Sequence, residues 1–169
     1  MSSTLSVQTI PNPPNDTVID IATHSIIPVG PPPGAVYAAA EILIPPTSPD
    51  FPKPYIYVSN RNKGVPTPEG DSIAIFEHVN QGQKNEGLVL IKQIFTGLSQ
   101  VRGMEIGNRA NGGDRFLIAG AASGTGGVAI FRRTEQGRNL ELVVRNQDIP
   151  TRTSFIWVTH RHFCDGAIL

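Results

Sequence analysis

Four charged residues lie within apolar runs of this chain, where their side chains could bind an anion or transfer a proton. Arg61 ends one such run, and Arg102 lies near the start of another, VRGMEI. The planar guanidinium of arginine pairs with a carboxylate or phosphate through two hydrogen bonds. Glu41 and Glu105 each precede an isoleucine in such a run, and a carboxylate can carry a proton or orient an arginine. The four residues predict a site that holds a small anion.

Three of these residues, Arg61, Glu41 and Glu105, also have a structural interpretation. Arg61 could be a loop arginine paired with Glu69 or Asp71. In the second copy of the repeat described below we align Ala121 with Arg61, so the repeat does not require arginine there for structural reasons. The two glutamates occupy like positions in both copies, which favours a structural role for them.

The elements that carry these residues occur twice. Residues 55–76, YIYVSNRNKGVPTPEGDSIAIF, and 116–131, FLIAGAASGTGGVAIF, each hold an apolar run, a polar or glycine-rich turn and a second apolar run ending in Ile-Phe. Each copy follows a run containing Glu-Ile and precedes a further β-branched run, at 88–95 and 140–144. The repeating unit is therefore four strands long, with a period of roughly 55 to 60 residues.

A period of this order with four strands per unit is typical of a propeller blade. We therefore predict an all-β fold, a β-propeller fragment with two complete four-stranded antiparallel blades and flanking strands of adjacent blades. The blades span 36–95 and 100–145, the outer strand of a preceding blade spans 17–27, and a closing strand spans 154–158. A blade cannot bury both faces of its own sheet, so exposed blade faces predict self-association.

The two ends fall outside the repeat. Residues 1–16 are polar and rich in proline, which predicts a disordered lead-in to a partial propeller over 17–158. Residues 159–169 have no counterpart in either copy and are interpreted as a tail.

Composition excludes several classes of partner. The 14 basic and 14 acidic residues balance, so nothing favours binding to nucleic acid or to an anionic membrane, which needs a concentrated basic face. No apolar run approaches the ~20 residues of a membrane helix, and the N-terminal residues lack the pattern of a secretory signal. We expect a cytoplasmic protein.

Neither a metal nor a cofactor is expected. The single cysteine, Cys164, excludes an internal disulfide and a cysteine-rich metal site, and the four histidines are too scattered for a zinc pattern. The glycine-rich segment 124–127 follows a strand but precedes another strand, so no helix N-terminus is predicted there to hold a phosphate.

The stretches YVSNR, DSIAIF, VRGMEI and GGVAIF, in this order and spacing, resemble the lactonase-type seven-bladed β-propellers. That family holds the cycloisomerase-2 type 6-phosphogluconolactonases and the fungal 3-carboxy-cis,cis-muconate lactonizing enzymes, the carboxymuconate cyclases. The likeness covers roughly residues 18–158 and corresponds to the C-terminal part of the family fold. Family members are more than twice as long, which implies that several of their blades are absent from this chain.

The resemblance implies a lactonase or cycloisomerase, without cofactor, for a small anionic lactone or a dicarboxylate such as a muconate. Such a reaction moves charge onto carboxylate and enolate oxygens, so its site needs cations and a proton carrier. In the fungal cyclase pattern an arginine closing a Ser-x-Arg stretch is among the proposed catalytic residues, and Arg61 matches it. Other blades of the family carry a channel-facing Arg or His at the position of Arg102. The alternative is a non-catalytic fragment or binding module that needs further blades.

Overall fold

The computed structural model describes residues 3–12, 16–124, 126–150 and 153–158. Within these ranges the chain forms ten strands and two short 3-10 helices, Ala110–Arg115 and Glu135–Gly137, and no helix is long and apolar enough to cross a membrane. The strands are β1 Thr4–Gln8, β2 Asp20–Ser25, β3 Tyr37–Leu43, β4 Ile56–Asn62, β5 Ser72–Val79, β6 Gly87–Phe95, β7 Ser99–Ile106, β8 Phe116–Ser123, β9 Val128–Thr134 and β10 Asn139–Asn146.

The strands form three antiparallel sheets. A leading hairpin pairs β1 with β2, a first blade has the order β3-β4-β5-β6, and a second blade has the order β7-β8-β9-β10. The inner strands, β3 and β7, lie at corresponding edges of the two blades and contact each other. The predicted all-β propeller fragment with two four-stranded antiparallel blades is confirmed.

Turn residues with positive φ join the strands. Asn80 (φ 55°) and Gly82 (φ 73°) turn the chain between β5 and β6, and Gly137 (φ 98°) turns it between β9 and β10. Glycine and asparagine adopt this left-handed region at low cost, so the chain reverses after short β-branched runs instead of continuing as helix.

The two blades stack face to face on an interblade core. Tyr57 and Ile75 of the first blade pack with Leu117 and Phe131 of the second, and each of these side chains is at most 1% exposed. Burying one such side chain stabilises the fold by about 1.5 to 3 kcal/mol, so this core is the main apolar attachment between the blades.

The leading hairpin packs on the opposite face of the first blade. Leu5 and Ile26 join Phe76 in a second apolar cluster there. The predicted disordered lead-in over 1–16 is therefore wrong for β1, because Leu5 is buried and the strand pairs along β2. The prolines that suggested disorder all follow this strand.

A repeated hydrogen bond ties each blade to the blade before it. Gln93 of β6 donates from Nε2 to the carbonyl of Ile26, just after β2, over 2.7 Å. Arg145 of β10 donates from Nη2 to the carbonyl of Thr96, just after β6, over 2.7 Å. Gln93 and Arg145 occupy the same ladder position, opposite Ala74 and Ala129 respectively. The leading hairpin therefore has the place of the outer half of a preceding blade.

A bulge in β3 changes the predicted arrangement of its side chains. Simple alternation predicts Ala39, Glu41 and Leu43 on one face. The register shifts between Ala39 and Ile42, so Ala39 packs against the second apolar cluster while Leu43 packs against the interblade core. An extra residue in one strand of a ladder reverses the faces beyond it.

The predicted closing strand over 154–158 is not a strand in the structure. Segment 153–158 has no ladder partner among the described residues, although it lies against β7, where a Cβ added to Gly103 would overlap the carbonyl of Thr153. Apolar residues alone do not make a strand without a neighbour to accept its backbone hydrogen bonds. The predicted tail, 159–169, lies outside the described residues.

One buried carboxylate joins the two blades. Asp71, 2% exposed, accepts the backbone N–H of Asn62 on Oδ1 and that of Val101 on Oδ2, each over 2.8 Å. Asn62 ends β4 of the first blade, and Val101 belongs to β7 of the second. The two bonds fix the inner strand of one blade against the other.

We expect Asp71→Asn to lower the free energy of unfolding by about 2 kcal/mol, because an amide Nδ2 would replace one acceptor and leave a buried N–H unpaired. Urea unfolding followed by circular dichroism measures the change. Asp148→Asn, at an exposed position, is the matched control. Equal midpoints for the two variants would contradict the bridging role of Asp71.

We expect Gly103→Ala to displace segment 153–158 from β7, because the added methyl group would overlap the carbonyl of Thr153. Trp157 is the only tryptophan of the chain, so its fluorescence emission should shift to longer wavelength. Gly87→Ala is the control, since Gly87 has negative φ and open space for a Cβ. An unchanged emission spectrum in Gly103→Ala would refute this packing.

Candidate functional site

Arg61 lies near the end of β4, opposite Ala38 of the inner strand. It is two residues beyond Ser59 and four beyond Tyr57, so it belongs to the face that meets the second blade. The side chain is partly buried, and its Nε is buried without a hydrogen-bond partner among the described residues. The strand therefore presents a guanidinium at the junction between the blades.

The charges of Asp71 and Arg61 interact without a direct ion pair. Burial raises the pKa of Asp71, while the backbone N–H groups of Asn62, Val101 and Gln100 and the charge of Arg61 oppose the rise. The ion pairs among the described residues include none between Arg61 and either Asp71 or Glu69. The carboxylate of Asp71 accepts hydrogen bonds from backbone N–H groups instead, and the guanidinium of Arg61 has no salt bridge within the described part of the chain.

Arg102 occupies the bulge of β7, where the register shifts between Val101 and Gly103. Its side chain is exposed and forms no ion pair within the part of the chain that the structure describes. Just before it, Gln100 takes a positive φ of 59° and donates a side-chain hydrogen bond to the carbonyl of Asn62. Arg102 is thus an unpaired cation on the inner strand of the neighbouring blade.

Glu41 occupies the corresponding bulge of β3. Its backbone N–H donates to the hydroxyl of Ser59 over 2.9 Å, and its side chain is partly buried. Its carboxylate has no ion pair among the described residues. Ser59 therefore fixes the backbone of the bulge and leaves the carboxylate of Glu41 available.

Glu105 lies further along β7, at the opposite end from Arg61. Its Oε1 accepts the backbone N–H of Ile106 over 3.2 Å, and it lines a cleft of about 580 Å³. Arg102 is three residues back along the strand, about 10 Å at the rise of a strand. The structure does not group Glu105 with Arg61.

The ladder registers also correct two predicted equivalences between the copies. The two blades are aligned by their cross-strand pairs. The pair formed by Ser59 and Ile73 matches that of Gly120 and Val128, and the pair formed by Tyr57 and Ile75 matches that of Ile118 and Ile130. Arg61 then corresponds to Ala122, not Ala121, although both are alanines and the argument from the repeat stands. Since Leu43 pairs with Tyr57 and Glu105 with Ile118, Glu105 corresponds to Leu43 and Glu41 to Gly103. Matching the Glu-Ile dipeptide of one copy with that of the other shifted the alignment of the two inner strands by two residues.

One buried arginine, Arg133, was not among the residues predicted from the sequence. Arg133 is 4% exposed, lies with its guanidinium carbon 3.8 Å from the ring centre of Phe51, and donates to the hydroxyl of Tyr57 over 3.0 Å. It also donates from Nη1 to the carbonyl of Asp114 over 2.7 Å. Its position two residues after the buried Phe131 on a strand is the signal that placed it inward.

Tyr57 completes this cluster. Its hydroxyl donates to the carbonyl of Gly137 over 2.6 Å, and burial raises its pKa, with the charge of Arg133 acting in the other direction. Tyr57 belongs to the first blade and Gly137 to the turn between β9 and β10. The cluster is a second polar attachment between the blades, at the end opposite Asp71.

The described residues contain no group of three or more His, Cys, Asp or Glu side chains placed to hold a metal ion.

Comparison with known proteins identifies the fold. No protein-family model matches the chain, and no curated protein sequence matches it. Among solved structures, it is similar to the periplasmic gluconolactonase PpgL of Pseudomonas aeruginosa, with a TM-score of 0.61 and 16% sequence identity. The match covers 86% of this chain and 34% of that chain, so this chain spans about a third of that protein's length. The chain therefore has the fold of part of a β-propeller.

We expect the share of stability that comes from Asp71 to fall as pH rises. A raised pKa means that the folded state binds the proton more tightly than the unfolded state does. The contribution of Asp71 to stability is therefore fully present at pH values below the ordinary pKa of aspartate, and it is lost as the pH rises through the raised pKa of the folded state. The advantage of the native chain over Asp71→Asn should therefore be larger near pH 4 than near pH 7. If the stability advantage of the native chain over Asp71→Asn instead grows toward pH 7, the backbone donors have a larger effect than burial on the pKa of Asp71.

Proposed function

We propose that this chain is part of a lactonase-like propeller that binds a small anionic lactone or dicarboxylate at the junction of its two blades. The substrate classes are those of 6-phosphogluconolactonases and carboxymuconate cyclases. The fold and its likeness to a gluconolactonase support the lactonase-like part of this proposal. The substrate and the site residues rest on the arrangement of charges at the inner strands.

The observation that carries the proposal is the guanidinium of Arg61, which forms no ion pair with any residue that the structure describes. It is partly buried, which strengthens its attraction for an anion because solvent screens it less. The carboxylate that could neutralise it, Asp71, already accepts backbone N–H groups of both blades. A carboxylate or phosphate of a substrate would supply the acceptors that Arg61 lacks.

The other predicted residues take complementary roles. Arg102, exposed on the inner strand of the second blade, provides a second cation for the oxyanion that forms at the lactone carbonyl. Glu41 accepts a proton from the attacking water and returns it to the ring oxygen as the C–O bond breaks, which leaves a hydroxy acid. Glu105, at the far end of β7, is not part of this proposed site.

A binding module that needs further blades is the second candidate. The far face of the second blade includes Ile118 and Ile130, which are only partly buried, and segment 153–158 lies against the inner edge of that blade. The chain also spans only 34% of the gluconolactonase it resembles. In this case the exposed faces would associate with other blades or with a second copy of the chain.

The test is hydrolysis of 6-phosphogluconolactone, and cyclisation of 3-carboxy-cis,cis-muconate, measured against the spontaneous rates. We expect Arg61→Ala to lower kcat/KM about a hundredfold and Arg61→Lys to recover part of the loss, because lysine keeps the charge without the planar fork. Arg132→Ala, an exposed arginine on β9, should leave kcat/KM unchanged.

Two outcomes would overturn parts of the proposal. Catalysis that responds alike to Arg61→Ala and Arg132→Ala would refute the site. If turnover does not exceed the spontaneous rate, titration with 6-phosphogluconate decides between the candidates. Binding that Arg61→Ala abolishes supports a binding module with the same anion site, and absence of binding refutes the anion site altogether.

A further inference from the structure

A separate cleft of about 580 Å³ opens where the inner strands end, away from Arg61. One wall is the loop after β3, including Pro45 and Ser48, and the opposite wall is the loop after β7, including Asn108 and Asp114. Segment 153–158 contributes Trp157. Both blades therefore contribute to the cleft, and most of its surface is apolar.

Two buried donors of the lining have no partner. The Oγ of Ser48 and the Nε1 of Trp157 are buried and form no hydrogen bond within the described residues. A buried N–H or O–H left without a partner costs about 1 to 3 kcal/mol. A ligand that offers acceptors to these two groups would recover that free energy.

The charged groups of the lining favour a neutral ligand. The lining includes two acidic residues, Glu105 and Asp114, and one basic residue, Arg109. None of the three takes part in an ion pair among the described residues. The excess of carboxylate repels anions, while its oxygens accept hydrogen bonds from hydroxyl groups.

The loops that form the two walls are held by one buried arginine. Arg133 packs against Phe51 in the loop after β3 and donates to the carbonyl of Asp114 in the loop after β7. Arg115 adds an ion pair of 2.6 Å with Asp50 across the same two loops. The cleft is thus held open by polar contacts between the blades, before any ligand binds.

We propose that this cleft binds a neutral polyhydroxylated molecule of the size of one sugar ring. Hydroxyl groups both donate and accept, so a single ligand satisfies the carboxylates of Glu105 and Asp114 and the donors of Ser48 and Trp157. The C–H faces of the ring pack on the apolar lining. This site is distinct from the junction at Arg61 and does not depend on the function proposed for it.

Trp157 makes the proposal directly measurable, because it is the only tryptophan in the chain. Methyl β-glucoside should change its fluorescence in a saturable way and protect it from quenching by acrylamide. Gluconate, which has similar size but carries a negative charge, and cyclohexylmethanol, which lacks most hydroxyl groups, should each bind at least about fivefold more weakly.

Substitutions in the lining should weaken binding of methyl β-glucoside, measured by the same fluorescence titration. We expect Ser48→Ala and Glu105→Gln each to raise the Kd about fivefold, as the loss of one hydrogen bond predicts. Glu141→Gln, exposed on β10, is the control and should leave the Kd unchanged.

The alternative results are equally decisive. Stronger binding of gluconate would overturn the charge argument, and stronger binding of cyclohexylmethanol would reduce the cleft to an apolar groove. Absence of a fluorescence response to every probe, or a Kd unaffected by both Ser48→Ala and Glu105→Gln, would refute the site. Circular dichroism spectra matching that of the native chain establish that the variants fold.

Discussion

The arrangement of the two blades depends on one buried carboxylate. Asp71 stands between the end of β4 and the start of β7, where backbone N–H groups of both strands would otherwise lack acceptors. The carboxylate loses hydration on burial, which raises its pKa, and the donors of both blades together with Arg61 offset part of that cost. Because these donors belong to different blades, the cost of burying the charge is offset in this way only when the blades are correctly docked. Asp71 binds backbone donors and forms no ion pair with Arg61, whose guanidinium has no acidic partner among the described residues and is therefore able to bind an anion.

Most of the fold follows from the repeat in the sequence. Short β-branched runs separated by glycine and asparagine predicted two four-stranded sheets, and stacking was required because neither sheet can cover both of its faces alone. The misplaced parts are those that depend on partners distant in sequence. The strand at Thr4–Gln8 looked disordered because its neighbours are proline-rich, yet Leu5 is buried against the first blade. Segment 153–158 looked like a strand, but no described strand pairs with it.

The candidate site was less predictable than the fold. Arg61 was identifiable because it lies near the end of a strand whose counterpart in the other copy carries alanine, and in the structure it has no ion-pair partner among the described residues. The equivalence of Glu41 and Glu105 failed because a dipeptide match carries no information about ladder register, which bulges in both inner strands adjust. Arg133 was missed because a charged residue beside an exposed Arg132 reads as surface, although strand alternation directs it inward. Its aromatic neighbours, Phe51 and Tyr57, come from the other blade and are visible only in three dimensions.

Gln93 and Arg145 each donate a hydrogen bond to a backbone carbonyl that lies earlier in the sequence, at the end of the preceding unit. During synthesis from the N-terminus, the donor of each new blade therefore meets an acceptor that is already in place. Such polarity favours sequential docking on the ribosome over a search among alternative pairings of similar sheets.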